Sequence, residues 1–140
     1  MRDRFIDLLP KQHPSFQPRT GGLVNVPVVF AAGQAGTLAH PTFDLAGFSV
    51  SLDVSATWTW DFDDGRPQRF TKPGGAYPDL DVTHTYATSD DRTVRVTTTW
   101  TGTFTVDGLG PFDITGPAVT QVSAPLDVPI HQARGELIAD

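Results

Sequence analysis

Apolar and polar residues alternate with a period of two over much of the chain from residue 23 onward. In the longest run, FSVSLDVSATWTWDF at residues 48–62, every second residue is apolar. A second run, residues 93–106, alternates apolar residues such as Val94, Val96 and Trp100 with a series of threonines. Side chains on a strand point alternately to opposite faces, so both runs predict sheet strands with one dry and one wet face.

Turn chemistry separates these runs. Both are longer than the usual strand of about 5–6 residues, so we expect a turn or bend near residues 53–56 and a bulge or bend at Gly102. Asp107-Gly108, between Val106 and Phe112, is typical of a hairpin connection. No segment has a sustained helical period. Many strands with turns at short intervals predict an all-β sandwich or barrel.

The domain organisation follows from length and proline content. A chain of 140 residues is long enough for one domain with a core of its own. Residues 1–20 contain Pro10, Pro14 and Pro18, which favour extended backbone, and are predicted to form an N-terminal tail or linker. Whether this tail lies on the domain as a strap or binds a partner stays open. Residues 21–140 are predicted to form a single β-sandwich domain.

Composition excludes several function classes. The net charge is -6 and the basic residues are scattered, which argues against nucleic acid and anionic lipid as partners. No apolar run approaches the roughly 20 residues that a membrane-spanning helix needs. The absence of cysteine excludes disulfides, thiolate zinc sites and a thiol nucleophile. The N-terminal residues lack the apolar core of a secretory signal.

The stretch WTWDFDDG, residues 58–65, places three carboxylates in four positions, at Asp61, Asp63 and Asp64. Their spacing does not fit an EF-hand, which needs a glycine at the sixth position and a glutamate at the twelfth. Turn architecture is the favoured interpretation, because Asp side chains accept hydrogen bonds from nearby backbone N–H groups and Gly65 supplies a positive φ. A cation site of another kind, with calcium as its ion, and a carboxylate-dependent hydrolase stay open.

Two motifs resemble the signatures of PKD domains, the polycystic-kidney-disease type of immunoglobulin-like module. WTWDFDDG is similar to the family's Y-x-W-D-F-G-D-G, and VTHTY at residues 82–86 is similar to its second signature. The resemblance covers residues 23–106, and it implies an immunoglobulin-like β-sandwich of seven or more strands. The residues that carry the signature are Trp58, Trp60, Asp61, Phe62, Asp64, Gly65, His84 and Tyr86.

The chain departs from the family pattern at several positions, one of them Asp90-Asp91-Arg92, which replaces the family's G-x-Y. Asp63 stands where the family has glycine, so we expect that this position does not need a conformation restricted to glycine. The segment 37–57 is longer than the usual connection and predicts an extra hairpin, while residues 77–81 enlarge the loop before the second signature. The arrangement most resembles PKD-containing exported proteins of high-GC Gram-positive bacteria.

The resemblance implies a non-catalytic module, extracellular or at the cell surface, that serves protein interaction, adhesion or spacing without a cofactor. Its partner would be a protein or a surface glycan. One alternative is a carbohydrate-binding accessory domain of a secreted degradative enzyme. That alternative requires an exposed aromatic platform among Trp58, Trp100 and Tyr77, although the alternation places the tryptophans on the core face. The candidate binding surface comprises Phe43, Tyr77, Asp79, Thr99 and Thr101.

Overall fold

A computed structural model of the chain describes residue 6 and residues 8–38, 41–114 and 119–132. Within these ranges the twelve assigned elements are all strands, which confirms the all-β class; the immunoglobulin-like type stays a prediction. The strands are β1 (Ser15–Gln17), β2 (Gly22–Leu23), β3 (Pro27–Ala31), β4 (Thr42–Leu45), β5 (Phe48–Asp61), β6 (Gln68–Phe70), β7 (Thr83–Thr85), β8 (Arg92–Val106), β9 (Leu109–Asp113), β10 (Val119–Val122), β11 (Leu126–Val128) and β12 (Ile130–His131).

The two long alternating runs become β5 and β8, the central pair of the larger sheet. They pair antiparallel without a register shift, from Val50 opposite Val106 to Asp61 opposite Arg95. The predicted turn at residues 53–56 and the predicted bulge at Gly102 are therefore wrong. Gly102 instead permits a close approach of the two strands, because a Cβ there would lie 2.7 Å from the Asp53 carbonyl oxygen.

Shorter strands extend this pair on both sides. β4 and β6 pair with β5, while β9, β10 and β11 pair with β8. The extra hairpin predicted in residues 37–57 is the β4–β5 hairpin, and the predicted β8–β9 hairpin also forms. The turn residues of the second hairpin, Asp107 and Gly108, have φ values of 49° and 82°. Positive φ at both central residues is the geometry of a type I′ turn, which matches the twist of the flanking strands.

A smaller sheet, in the order β1-β3-β7, faces the dry side of β5 and β8, and β2 pairs with β12 in a separate parallel ribbon. The N-terminal segment contributes to this architecture. Phe16 of β1 lies opposite Phe30 of β3, and the His13 N–H donates to the Ala32 carbonyl at 3.0 Å. Part of the predicted tail, residues 8–20, thus lies on the domain, whereas its Phe5 is outside the described residues.

The main core fills the space between these two sheets, as the alternation requires. Phe30 of β3 lies with its ring centroid 5.3 Å from that of Trp60 of β5, which is fully buried. The members of this first cluster are Val28, Phe30, Ala32, Trp58, Trp60, Phe62, Val82, Tyr86, Val94, Val96, Val128 and Ile130. Burying each aromatic ring removes roughly 150–250 Å² from water, so these rings dominate the core.

A second apolar cluster lies further along the same face of β5 and β8. Its buried members are Leu9, Leu38, Leu52, Trp100 and Val119. Leu9 precedes β1 and Leu38 precedes β4, so these two residues cover a part of the long strands beyond the first cluster. The second cluster extends the dry face of these strands, which have 14 and 15 residues, beyond the first cluster.

Candidate functional site

The carboxylates after Trp60 hold a reversal of the chain. Asp61 accepts a hydrogen bond from the Asp63 N–H at 3.0 Å through its Oδ1, which is the local bonding typical of an Asx turn. Asp63 then links the turn to the start of β8. Its Oδ2 accepts from the Thr93 N–H at 2.9 Å, and its carbonyl accepts from Arg92 Nη1 at 2.7 Å. The turn is thereby fastened to a strand thirty residues further along the chain.

The position with positive φ in this turn is Asp63, at 68°, and not Gly65 as the sequence predicted. Position 63 therefore has the left-handed backbone conformation that glycine adopts easily, although aspartate occupies it. Aspartate is one of the few residues that visit the left-handed region, because its short side chain forms hydrogen bonds locally. Gly65 has open space around its Cα, so no contact requires a glycine there.

Asp64 connects the turn to the second signature motif. Its Oδ2 lies 2.7 Å from His84 Nε2, and this pair is only partly exposed. The His84 ring stacks on Phe62 at a centroid distance of 4.2 Å and meets the Tyr86 ring edge-on at 4.6 Å. The structure thus brings together the side chains of WDFDDG and THTY. They contact one another through ring packing and through hydrogen bonds that hold the turn.

Tyr86 is the titratable group that this packing perturbs most clearly. Its hydroxyl is buried and donates to the Phe62 carbonyl at 3.0 Å. Burial raises the pKa of the Tyr86 phenol well above its usual range, and the nearby Asp64 carboxylate raises it further. The Arg92 guanidinium, 5.5 Å from the ring centroid, opposes this shift. A phenol that keeps its proton in the folded state is a structural donor here.

The same three carboxylates were the candidate cation ligands and the candidate catalytic acids. Each already has a hydrogen-bond partner: Asp61 the Asp63 N–H, Asp63 the Thr93 N–H, and Asp64 the His84 ring. In the described part of the chain, no group of three or more His, Asp or Glu side chains is arranged to hold a metal ion. The hydrogen bonds that these carboxylates make hold the turn together.

The three tryptophans do not offer a sugar platform. Trp58, Trp60 and Trp100 are buried, with exposed fractions of 2% or less. Trp58 Nε1 donates to Gln34 Oε1 at 3.0 Å, and Trp100 Nε1 donates to Gln121 Oε1 at 2.8 Å. Of the aromatic residues named for carbohydrate binding, Tyr77 alone is exposed, at 69%.

A polar layer between the two apolar clusters was not predicted from the sequence. Gln34 Oε1 accepts from Trp58 and from the Thr98 hydroxyl at 2.7 Å. Gln34 Nε2 donates to the Pro10 carbonyl at 2.7 Å and to Gln121 Oε1 at 2.6 Å. Gln12 Nε2 closes the layer by donating to Thr98 Oγ1 at 2.9 Å. The sequence held one signal for this layer, since Thr98 occupies a dry position of β8.

The loop of residues 72–81 is exposed yet anchored to the smaller sheet. The Tyr77 N–H donates to Gln17 Oε1 at 2.7 Å, and the Ala32 N–H donates to the Pro73 carbonyl at 2.8 Å. Asp79 Oδ1 accepts from the Asp81 N–H at 2.9 Å, which makes Asp79 a turn residue. These bonds hold the loop in place while Tyr77 and Leu80 are exposed.

The five residues of the predicted binding surface do not share one surface. Tyr77 and Asp79 lie in the loop beside β1, and Phe43 lies on β4, half-buried against the second cluster. Thr99 and Thr101 lie on the wet face of β8, where Thr99 is opposite Thr57 of β5 and Thr120 of β10. Thr99 is half-buried between these neighbours and Thr101 is exposed. The candidate binding residues thus lie in three regions of the fold, the loop of residues 72–81, the β4 strand and the wet face of β8.

Comparisons with protein-family models, with curated proteins and with solved structures find no match to this chain. The resemblance to PKD domains therefore stays a prediction from the two motifs. Among the residues that the structure describes, none belongs to a helix with the length and apolar character that a membrane crossing requires.

Proposed function

We propose that the chain is a non-catalytic interaction module, extracellular or at the cell surface, that binds a protein partner through the loop of residues 72–81. The observation that carries this proposal is the exposure of Tyr77, at 69%, and Leu80, at 58%, on a loop held by backbone hydrogen bonds. A pre-ordered loop with exposed aromatic and aliphatic side chains loses little conformational entropy on binding. Tyrosine is also enriched among residues that dominate interface energetics.

The rest of the predicted chemistry supports a binding role over a catalytic one. Asp61, Asp63 and Asp64 are bonded to the Asp63 N–H, the Thr93 N–H and the His84 ring, which are turn and strand partners. A two-carboxylate hydrolase of the glycosidase type would need its two carboxyl groups on either side of a substrate groove. The extracellular location rests on the PKD resemblance alone.

Photocrosslinking tests the proposal. The chain, with a photoreactive amino acid in place of Leu80, is irradiated in a bacterial cell-envelope protein fraction. The crosslinked products are counted with and without an excess of unlabelled protein. We expect discrete crosslinks that unlabelled wild type displaces and that a Tyr77→Ser competitor displaces at least about tenfold less well. The matched control carries the photoreactive group at Asp127, an exposed residue of β11. Equal crosslinking at both positions, or equal displacement by both competitors, would contradict the proposal.

A carbohydrate-binding role is the second candidate, and one observation favours it. Tyr77 follows Ala76, which lines a cleft of about 110 Å³ together with Phe16, Gln17 and Arg19. An exposed ring beside polar side chains is the arrangement that stacks on a sugar. Depletion of the protein from solution by insoluble cellulose, chitin or peptidoglycan, abolished by Tyr77→Ala, would favour this candidate. Absence of depletion by all three would leave the protein-binding proposal in place.

A further inference from the structure

Four large apolar side chains are exposed at the end of the larger sheet where the β4–β5 and β8–β9 hairpins turn. They are Leu45, Phe48, Leu109 and Phe112, here called the end patch. Leu45 and Phe48 are opposite each other across the first hairpin, and the Phe112 ring lies 5.6 Å from that of Phe104 in the second. The register places the end patch on the core-facing side of the sheet, beyond the second cluster.

In the described strands and turns at this end of the sheet, the charged residues are all aspartates. Residues 41–57 and 101–114 contain Asp44, Asp53, Asp107 and Asp113, and no lysine, arginine or histidine. Alternation along the strands directs Asp44, Asp53 and Asp113 to the wet face, opposite the end patch. Asp53 and Asp113 both lie beside Thr103 in one cross-strand row. The sheet end thus has an apolar side and an acidic side.

The two edges of the sheet differ at this end. Within the described ranges, β4 pairs with β5 alone. The Leu52 N–H donates to the Pro41 carbonyl at 2.7 Å, and in an antiparallel pair the bonded positions alternate. The N–H and C=O groups of Thr42 and Asp44 therefore point to the open edge. The opposite edge strand, β9, contains Pro111, which has no N–H to offer to a further strand.

From these three features we propose that the β4 edge binds an extended segment of a partner protein in which apolar and cationic residues alternate. The segment adds a strand to the sheet through the Thr42 and Asp44 backbone groups. Its apolar side chains extend the end patch, and its lysines or arginines lie beside Asp44 on the acidic side. This surface is separate from the loop of residues 72–81, so the inference goes beyond the proposed function.

A second copy of this chain fits the edge poorly. Two β4 strands paired edge to edge would bring their Asp44 side chains and the neighbouring acidic rows towards each other, and like charges across neighbouring strands are destabilising. A cationic segment instead gains from the same carboxylates, with a strength that falls as salt is added. Charge complementarity therefore selects a basic partner segment over self-association.

Synthetic peptides test this inference. The probes are an eight-residue peptide of alternating lysine and valine, the same composition in two blocks, an alternating glutamate–valine peptide, and the lysine–valine peptide N-methylated throughout. Binding to the full chain is followed by fluorescence anisotropy at low and high salt. We expect the alternating lysine–valine peptide to bind at least about tenfold more tightly than the other three, a difference of ~1.4 kcal/mol. Asp44→Lys should reverse the order of the lysine and glutamate peptides.

The controls separate this inference from other occupants. Asp127→Lys makes the same change of charge at a distant exposed position and should leave the order of the peptide affinities unchanged. Tyr77→Ser should also leave that order unchanged, because it alters the loop of the proposed function and not the β4 edge. Circular dichroism melting verifies that each variant is folded. Equal binding of the block peptide, no effect of Asp44→Lys, or absence of binding by all four peptides would overturn the inference. Concentration-dependent dimers in sedimentation that Asp44→Lys alters would overturn it in favour of a second copy.

Discussion

Gln34→Leu is the substitution that most sharply tests the polar layer between the two apolar clusters. Gln34 is buried, and its amide group makes four hydrogen bonds, to Trp58, Thr98, Pro10 and Gln121. Leucine has a similar volume, so the packing of the site is retained while all four bonds are lost. The measured effect therefore reports on the hydrogen bonds with little contribution from a cavity.

The magnitude follows from which groups lose their last partner. The Pro10 carbonyl keeps a bond from Gln121 Nε2, and Gln121 Oε1 keeps the one from Trp100. The Trp58 N–H loses its acceptor, and the Thr98 hydroxyl loses the acceptor for its proton. A buried polar group left unpaired costs about 1–3 kcal/mol, so the two together should lower the free energy of unfolding by about 2–6 kcal/mol. The free energy of unfolding of a folded domain is only about 5–15 kcal/mol in total.

Urea denaturation followed by tryptophan fluorescence measures this loss. With a slope of about 2 kcal/mol per molar urea, the midpoint should fall by about 1–3 M while the slope stays the same. Gln68→Leu, the same change at an exposed position of β6, is the matched control and should move the free energy by less than about 0.5 kcal/mol. A Gln34→Leu midpoint within the range of the Gln68→Leu control would refute the polar layer as described.

Three further substitutions test the turn and its surroundings. Asp63→Ala should lower the free energy of unfolding by about 1–3 kcal/mol, because it loses the bond to Thr93 and alanine does not tolerate the φ of 68°. Asp63→Gly loses the same bond but glycine tolerates this φ, so its loss should be smaller. Equal losses for the two variants would contradict this. The pKa of Tyr86 is raised in the folded state, so the stability that its protonated phenol contributes is complete below pH about 10 and is lost as pH rises further. Denaturation measured as a function of pH should show this loss in the wild type, and Tyr86→Phe should remove it. Gly33→Ala should destabilise by about 1–3 kcal/mol in thermal melting, because Gly33 has a φ of 63° and a Cβ there would collide with the His13 carbonyl.

The sequence was sufficient to predict the strand class and the faces of the long strands. Alternation in residues 48–62 placed Val50, Leu52, Trp58 and Trp60 on the dry face, and all four are buried. The hairpin at Asp107-Gly108 was also predicted correctly. These features depend on local rules, the period of two and the turn preferences of Asp and Gly, which hold before any tertiary contact is known.

The errors arose where distant residues decide the local structure. β5 and β8 exceed the usual strand length because Leu9 and Leu38, far away in sequence, cover their extension. The positive φ fell on Asp63 because Thr93 and Arg92 bond to it, a contact that the turn sequence does not encode. Gln34 lies in a loop with no periodicity, so its four partners could not be foreseen.

Calcium-dependent thermal melting of the wild-type chain tests the central claim, that the carboxylates of residues 61–64 fasten a chain reversal. Calcium at a concentration 100 times the Kd of such a site would add ~2.7 kcal/mol to the free energy of unfolding. That gain corresponds to several degrees in Tm for a chain of this size. The structural assignment predicts the same Tm in millimolar calcium and in EDTA. A rise of several degrees with calcium, absent from Asp63→Asn and from Asp64→Asn, would contradict it.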